Sequence, residues 1–492
     1  MERLQPIIPN RKSWHGQFQI ARGAAPATPG AVAHRVGDWH VEAFAGVPAI
    51  PVLDGQGQRI GVLLGTAIDH AAGTLVARPV TLDLPTDPTT RDAAIEAALY
   101  RFGGSWMCLL AGCGIERIYL DADGTLSLVF DAATQSAAST GGLLLDDEAY
   151  TFRFDHGLYS ALDVPGEGWF PAGLTAHRGI RRLLCNHYLD LATFQTHRHW
   201  PIRDFAHTGS TEESAHRVAA IVRQQAEALL QRGKVVVALT GGNETRLLLA
   251  AYQPLIKDLT FVTVAAPSTE RDVVLAKALA ERFGLRHVLL PLQEATQAER
   301  DTWLYATGHC VTGPNRISHP TIRALASQYD FFLGGLGGEI GRAFFWRSTD
   351  TRDMPMTVAD LVPRFGMPAA DAVTEATADW LWGVQNFNAL TQLDLAYMEL
   401  RMSAWSAAQT YAQSFVNHLH PLICREIYTL MLNLPAEAKR GNLLIKSAIA
   451  QNWPELEQIP INRYGDYRDM VHAAISATDP KRVAKKLRKL FG

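Results

Sequence analysis

Two acidic residues stand within two positions of a glycine in this sequence, each just past the end of an apolar run. Glu244 follows Gly241 and Gly242 in VVVALTGGNETRLLLAAY, residues 235–252, and Glu339 follows Gly335, Gly337 and Gly338 in FFLGGLGGEIGRAFF, residues 331–345. A strand that stops at Gly-Gly and turns straight into a helix leaves backbone N–H groups pointing outward, and with the helix dipole they seat an anion. Glycine lets a large oxyanion reach the backbone without meeting a Cβ. No Gly-Lys-[Ser/Thr] follows, so this is not a Walker loop, and a GxGxxG fingerprint is absent. An acid inside an anion seat implies a cation between the two, so Glu244 would hold magnesium that is itself bound to phosphates. A purely structural turn also explains one Gly-Gly. A second strand–glycine–acid unit puts two carboxylates at one cavity if both strands share a sheet, an arrangement suited to magnesium and pyrophosphate. The alternative is two unrelated loops whose acids face water.

The elements around these residues alternate. A helical run, TEESAHRVAAIVRQQAEALLQRG, precedes the strand KVVVALT and the helix ETRLLLAAY; the strand LTFVTVAA, the helix ERDVVLAKALAERFG closed by Gly284, the strand HVLLPL, the helix HPTIRALASQ and the strand YDFFLGG follow. That order predicts a parallel sheet with helices on its faces. From about residue 370 the pattern reads as almost purely helical. The first two hundred residues read as mostly strand, with a helix at DAAIEAALYRFGG and a tight turn at Asp123-Gly124 between RIYLDADG and TLSLVFDAA. The boundary falls near residue 205, giving domains 1–205 and 206–492.

At 492 residues, two domains are expected. Hydrophobic residues make up 47% and charged residues 19%, which is globular composition, and a net charge of -3 gives no pull toward nucleic acid or membrane. No apolar stretch is long enough to span a membrane, and the start lacks the core of a signal peptide. The 5 cysteines, Cys108, Cys113, Cys185, Cys310 and Cys424, are scattered and predict free thiols in a reducing, cytoplasmic setting rather than a disulfide frame or zinc site.

ALTGGNETRLLLA resembles the pyrophosphatase loop of the asparagine synthetase family, usually Ser-Gly-Gly-x-Asp-Ser. FVTVAAPSTERDVVLAKALAERFGLRHV resembles the next segment, in which a strand residue, here Val264, contacts adenine and an acid, here Asp272, opens a helix. GGLGGEIGR resembles the second magnesium motif, Gly-x-Gly-x-Asp-Glu. HPLICREIYTLMLNLP and WPELEQIPINRYG resemble later segments, the last carrying a basic residue to pyrophosphate. The first half is similar, more loosely, to the family's amidotransferase domain through FGGSWMCLLAG, RIYLDADGTLSLVFD and GIRRLLCNHYLDL. The resemblance implies an α/β fold: a C-terminal parallel-sheet PP-loop synthetase domain with a late helical extension, behind an α+β Ntn-amidotransferase-like layered domain.

Several positions depart from the family pattern. Glu244 and Glu339 stand where Asp is usual, Thr240 replaces Ser, and Arg246 occupies a small residue's place. Residue 2 is Glu, where glutamine-dependent members need a nucleophilic Cys, so the first domain looks like a non-hydrolysing relic, as in beta-lactam synthetases and lasso-peptide cyclases.

The resemblance implies that ATP and Mg2+ activate a carboxylate as an acyl-adenylate, which an amine then attacks. Leu239, Thr240, Gly241, Gly242, Asn243, Glu244 and Thr245 would cradle pyrophosphate with Gly335, Gly337 and Gly338. Glu244 and Glu339 would bind the metal. Arg463, or Lys446, would add positive charge, and Glu399 paired with Tyr397 would serve as base to the amine. A helix ion pair of Glu399 with Arg401 is the structural alternative. The substrate would be a small-molecule or peptide carboxylate with an amine acceptor. The tail KRVAKKLRKLFG, apolar at Val483, Leu487, Leu490 and Phe491, suits an acidic partner, a peptide, a membrane surface or docking on its own protein. A homo-oligomer is a further partner state that the sequence leaves open. The His197-Arg198-His199 stretch reads as a polar loop between domains. Competing functions are a non-catalytic nucleotide-binding or regulatory homologue and an enzyme that passes its adenylate to sulfur.

Overall fold

The computed structural model describes residues 6–9, 12–23, 28–164, 168–311, 320–411 and 415–470. The fold is mixed α/β. Two sheets build the first part. One has six antiparallel strands in the order Ile180–Arg182, Val129–Asp131, Ser136–Ala138, Phe18–Arg22, Trp39–Phe44 and Ala31–Val36. The other has eight, centred on the paired 11-residue strands Arg59–Asp69 and Phe102–Gly112, and is antiparallel except where Ala49–Asp54 meets Val80–Leu82. Alternation along the strands decides what each face meets. Val62, Leu64, Met107 and Leu109 join Phe18, Ile20 and Val41 in a core between the sheets. Their neighbours Leu63, Cys108 and Leu110 instead pack under Ile95 and Leu99 of the helix Pro88–Tyr100, which Asp87 caps by accepting from the Thr90 N–H.

The chain turns at Asp123-Gly124, but the strands on either side do not pair with each other. Ile115–Leu120 lies in the eight-stranded sheet and Val129–Asp131 in the six-stranded one. The buried Asp121 carboxylate makes this corner: it accepts from the backbone N–H of Trp106, Asp123, Thr125 and Leu126 and from the Thr125 hydroxyl. These donors carry the chain from one sheet to the next.

The second part is built on a five-stranded sheet in the order His287–Pro291, Thr260–Ala265, Val235–Ala238, Phe331–Leu333 and Asn417–Leu419, with every pair parallel. The helix Thr211–Leu230 starts at Ser210, whose hydroxyl accepts from the Glu213 N–H, and Glu270–Phe283 ends at Gly284 in the left-handed region with φ 64°. The outermost strand, Asn417–Leu419, interrupts the stretch read as helical after residue 370 and is a correction to it. In HPTIRALASQ only 320–323 are helical and turns follow; the segment just before is outside the described residues, as are residue 2 and the whole tail with Val483, Leu487, Leu490 and Phe491. Residues on both sides of position 205 share the largest core: Phe154, Tyr159 and Trp169 pack in the same cluster as Val218, Leu248 and Met398. No helix of the described residues is long and apolar enough to cross a membrane.

Candidate functional site

The two strands that end in glycines are neighbours. Val235, Val236 and Val237 pair in parallel with Phe331, Phe332 and Leu333, so both glycine turns leave the same edge of the sheet. Gly242 then caps the helix Asn243–Ala251 with Glu244 in its first turn, and Gly337, at φ 105°, leads into the 3-10 turn Gly338–Arg342 that carries Glu339. A cavity of about 380 Å³ opens at this edge, and Glu244, Glu339, Thr240, Thr245, Gly335 and Val264 all line it. Ligands bind open parallel sheets at this place, outside the carboxyl ends of the strands.

Packing brings the two acids together. A Cβ on Gly338 would lie 2.6 Å from Glu244 Cγ, and one on Gly335 would lie 3.1 Å from Glu244 Cβ. The Glu244 side chain therefore passes through space that only a glycine at 338 leaves open. Arg342 donates from Nε to Glu244 Oε1 at 2.5 Å and reaches Glu339 Oε1 at 4.0 Å. Burial first, and then the facing Glu244 carboxylate, push Glu339 up to about 7. Two carboxylates sharing a desolvated wall call for positive charge, and Arg342 supplies part of it. Among the described residues no group of three or more His, Cys, Asp and Glu is placed to hold a metal ion. A two-carboxylate set is nonetheless what Mg2+ uses when its other ligands are water and phosphate oxygens, so the residues fit a cation delivered with a nucleotide better than a resident metal.

The glycine loop is braced from three directions. Gly241 N–H donates to Asp272 Oδ1 at 2.9 Å, the Asn462 N–H donates to Gly241 O at 2.7 Å, and Asn442 Nδ2 donates to Asn243 Oδ1 at 2.8 Å. Inside the loop the Thr240 hydroxyl accepts from the Gly242 N–H at 3.1 Å and bonds the Thr245 hydroxyl at 2.8 Å. Asp272 also lines the cavity. Leu239 is a correction: its side chain is core, its N–H donates to Val262 O and its carbonyl accepts from the Thr263 hydroxyl. Both its main-chain groups are used by the sheet, which leaves nothing for a phosphate.

Arg246 is buried, and its guanidinium donates to the carbonyls of Leu456 at 2.7 Å, Ile459 at 2.9 Å and Pro460 at 3.3 Å. Burial lowers it to about 10. This residue, which breaks the family pattern, ties the late segment to the loop helix, so that Asn462 touches Gly241 and Arg463 follows it, exposed. Lys446 is exposed on the helix Leu443–Asn452.

Glu399 and Tyr397 occupy a different setting. They lie on a π-helical turn, Tyr397–Met402. The Glu399 carboxylate is buried and accepts two hydrogen bonds from Arg198 at 2.7 Å each, one from Asn186 Nδ2 at 2.6 Å and one from Trp380 Nε1 at 2.6 Å. Burial alone would raise it, but the Arg198 guanidinium wins and holds it at about 2. A carboxylate so held takes up no proton near neutrality, so the expected base is corrected to a tie between three segments. Its partner is Arg198, from the stretch read as a plain linker loop, rather than Arg401. Arg401 instead lies against the rings of Trp169 at 5.1 Å and Phe344 at 5.2 Å. Tyr397 is buried against Phe344 and Phe345, at 4.9 and 5.2 Å between centroids, and burial keeps its hydroxyl protonated.

Sequence reasoning missed Arg342, Gln409, His418 and His420, the last three of which also line the cavity. The signal for the histidines was present in NHLHP, where two imidazoles two residues apart share one face of a strand.

No protein-family model matches this chain, and no curated protein does. Among solved structures the chain is similar to an NMN synthetase from Francisella tularensis, at 13% identity, with a TM-score of 0.19, over 34% of this chain and 74% of that one. A superposition that shallow says nothing of this chain's chemistry.

Proposed function

We propose that this protein is an ATP-dependent amide-forming ligase that activates a carboxylate as an acyl-adenylate, releases pyrophosphate and lets an amine attack, without hydrolysing glutamine. The observation that carries the reading is the pair of carboxylates, Glu244 and Glu339, on one cavity behind two glycine turns of adjacent parallel strands. Backbone donors of Asn243 to Thr245, at the start of the helix Asn243–Ala251, would receive the diphosphate, with Gly241 and Gly242 leaving room for it to approach. Thr240 and Thr245 hydroxyls add short-range donors, and Arg463 brings a charge beside Asn462. Val264 offers an apolar wall to the base. Glu244 and Glu339 would hold Mg2+, which when bound offsets charge on the departing diphosphate. The first domain would serve as a layered relic that supports the second.

Magnesium-dependent exchange of labelled pyrophosphate into ATP, run against a panel of carboxylates, tests this. Exchange with at least one carboxylate is expected, lost by about 10²-fold or more in Glu244→Gln, a magnitude in the range for removing a charge stabiliser. Absence of exchange with every carboxylate tried overturns the reading.

One observation favours a non-catalytic nucleotide-binding homologue instead: Arg342 lies between both acids and offsets part of their charge without a metal. On that reading ATP binds without exchange, and Arg342→Ala leaves the protein inert. Passage of the adenylate to sulfur has less support, because no cysteine lines the cavity among the described residues.

A further inference from the structure

The cavity has a second polar end that the adenylation chemistry does not use. It is made by the outermost strand and by the helix Ser403–Thr410. His418 and His420 alternate onto one face as the strand Asn417–Leu419 ends, with ring centroids 4.8 Å apart, and Gln409 joins them on the cavity wall. The His418 Nδ1 atom and Gln409 Oε1 are buried with no hydrogen-bond partner among the described residues, while the His420 ring lies against the Gly334 backbone, which holds it in place. Buried polar atoms are nearly always paired, so two unpaired ones on one cavity wall point to a ligand that pairs them. The ring of His420 is pressed on Gly334, where a Cβ would come within 2.6 Å of Cε1, so this wall is close-packed and holds its shape.

We propose that Gln409, His418 and His420 form the seat of the attacking amine. The inference rests on the adenylation reading and deepens it. Gln409 Oε1 only accepts hydrogen bonds, so the occupant brings a donor there, and each neutral imidazole can accept one more. A primary amine or ammonium group carries the two or three N–H donors required; a carboxylate or phosphate carries none. Burial lowers both imidazoles, His420 to about 4, so neither ring adds a positive charge that would repel an ammonium. The spacing also suits the chemistry. Val264 lies on the second strand of the sheet and His418 on the fifth, three strand intervals away, about 14 Å at the usual spacing. An adenylate with its base at Val264 and its phosphate at the glycine loops would present its acyl carbon toward this wall. The amine nitrogen then bonds to the acyl carbon, the bond from that carbon to the AMP oxygen breaks with its electron pair leaving on AMP, and the nitrogen's surplus protons pass to the departing phosphate and to water.

The test uses the full chain, a carboxylate that supports exchange, and ammonium, methylammonium and hydroxylamine as acceptors. The variants are Gln409→Leu, His418→Leu and His420→Leu, with His420→Asn as the conservative partner because its amide can mimic the Nδ1 edge. The expected result is a KM for the acceptor raised tenfold or more in the Leu variants, with the KM for ATP and the rate of pyrophosphate exchange within threefold of the parent and with partial recovery in His420→Asn. A rise in the ATP KM, or equal loss of exchange and amide formation, overturns the proposal by assigning this wall to the nucleotide or to folding. Unchanged acceptor KM overturns it as well. Absence of exchange in the parent protein with every carboxylate overturns the adenylation reading itself and this inference with it.

Discussion

Glu244 shows how an acid and a glycine are matched. Its Cγ lies 2.6 Å from where a Cβ at position 338 would be, so the acidic side chain and the glycine fit as a pair. In Gly338→Ala the flexible side chain moves and the backbone stays, because the contact is with a side-chain atom. Stability should change by less than about 1 kcal/mol, while pyrophosphate exchange falls tenfold or more as the carboxylate leaves its position. Exchange in Gly338→Ala equal to that of the parent refutes the pairing. Glu244 and Glu339 were legible in the sequence because the strand, the glycines and the acid are contiguous. The true setting of Glu399 was not, because its partners Asn186 and Arg198 lie 213 and 201 residues away. A helix acid with a nearby arginine reads as a local pair until the fold brings a better donor.

At the scale of elements, four of the five parallel strands announce themselves as apolar runs followed by helices. The fifth, Asn417–Leu419, has a single strongly apolar residue and forms because Phe331–Leu333 offers its free edge. Such a strand is written in its partner rather than in itself. Arg246 illustrates the same dependence. From the sequence it is an odd large residue in a loop helix; in the fold it gathers the carbonyls of Leu456, Ile459 and Pro460 and brings Asn462 against Gly241. Replacing it by methionine keeps the volume and removes the donors. Amide hydrogen exchange across residues 456–463 should then speed up tenfold or more, about 1.4 kcal/mol of local protection, with the helix Thr211–Leu230 unaffected. Equal loss of protection throughout the molecule would mean that Arg246 supports the fold as a whole rather than this segment.

The molecule as a whole carries its ionisable groups inside, and they pull in opposite directions with pH. His177, His199, His309 and His420 are all buried, and burial lowers each one, His177 and His309 to about 3 and His420 to about 4. Their folded pKa values lie below the unfolded 6.5, so between the two the unfolded chain binds more protons and stability falls as pH falls. Glu339 works the other way: raised to about 7, it is protonated in the fold where the unfolded chain is ionised, so its burden grows as pH rises from about 4.5 to 7. Among the described residues, eleven lowered histidines outweigh the five raised carboxyls, Glu96, Asp121, Asp123, Glu339 and Asp394, and decide the direction. The metal-free protein should lose stability steeply below about pH 6.5 rather than at the carboxylate range near pH 4, with a proton uptake on unfolding of more than two. Glu399, held at about 2 by Arg198, joins the loss only below about pH 4.5. Urea midpoints measured from pH 8 to pH 5 read this directly. Glu339→Gln removes one opposing group, so the variant should gain stability at pH 8 and keep little of that gain at pH 5, steepening the profile. A flat midpoint between pH 7 and pH 5 would mean that these rings reach water, and that the core joining the two sheets of the first part to the parallel sheet of the second is looser than its packing implies.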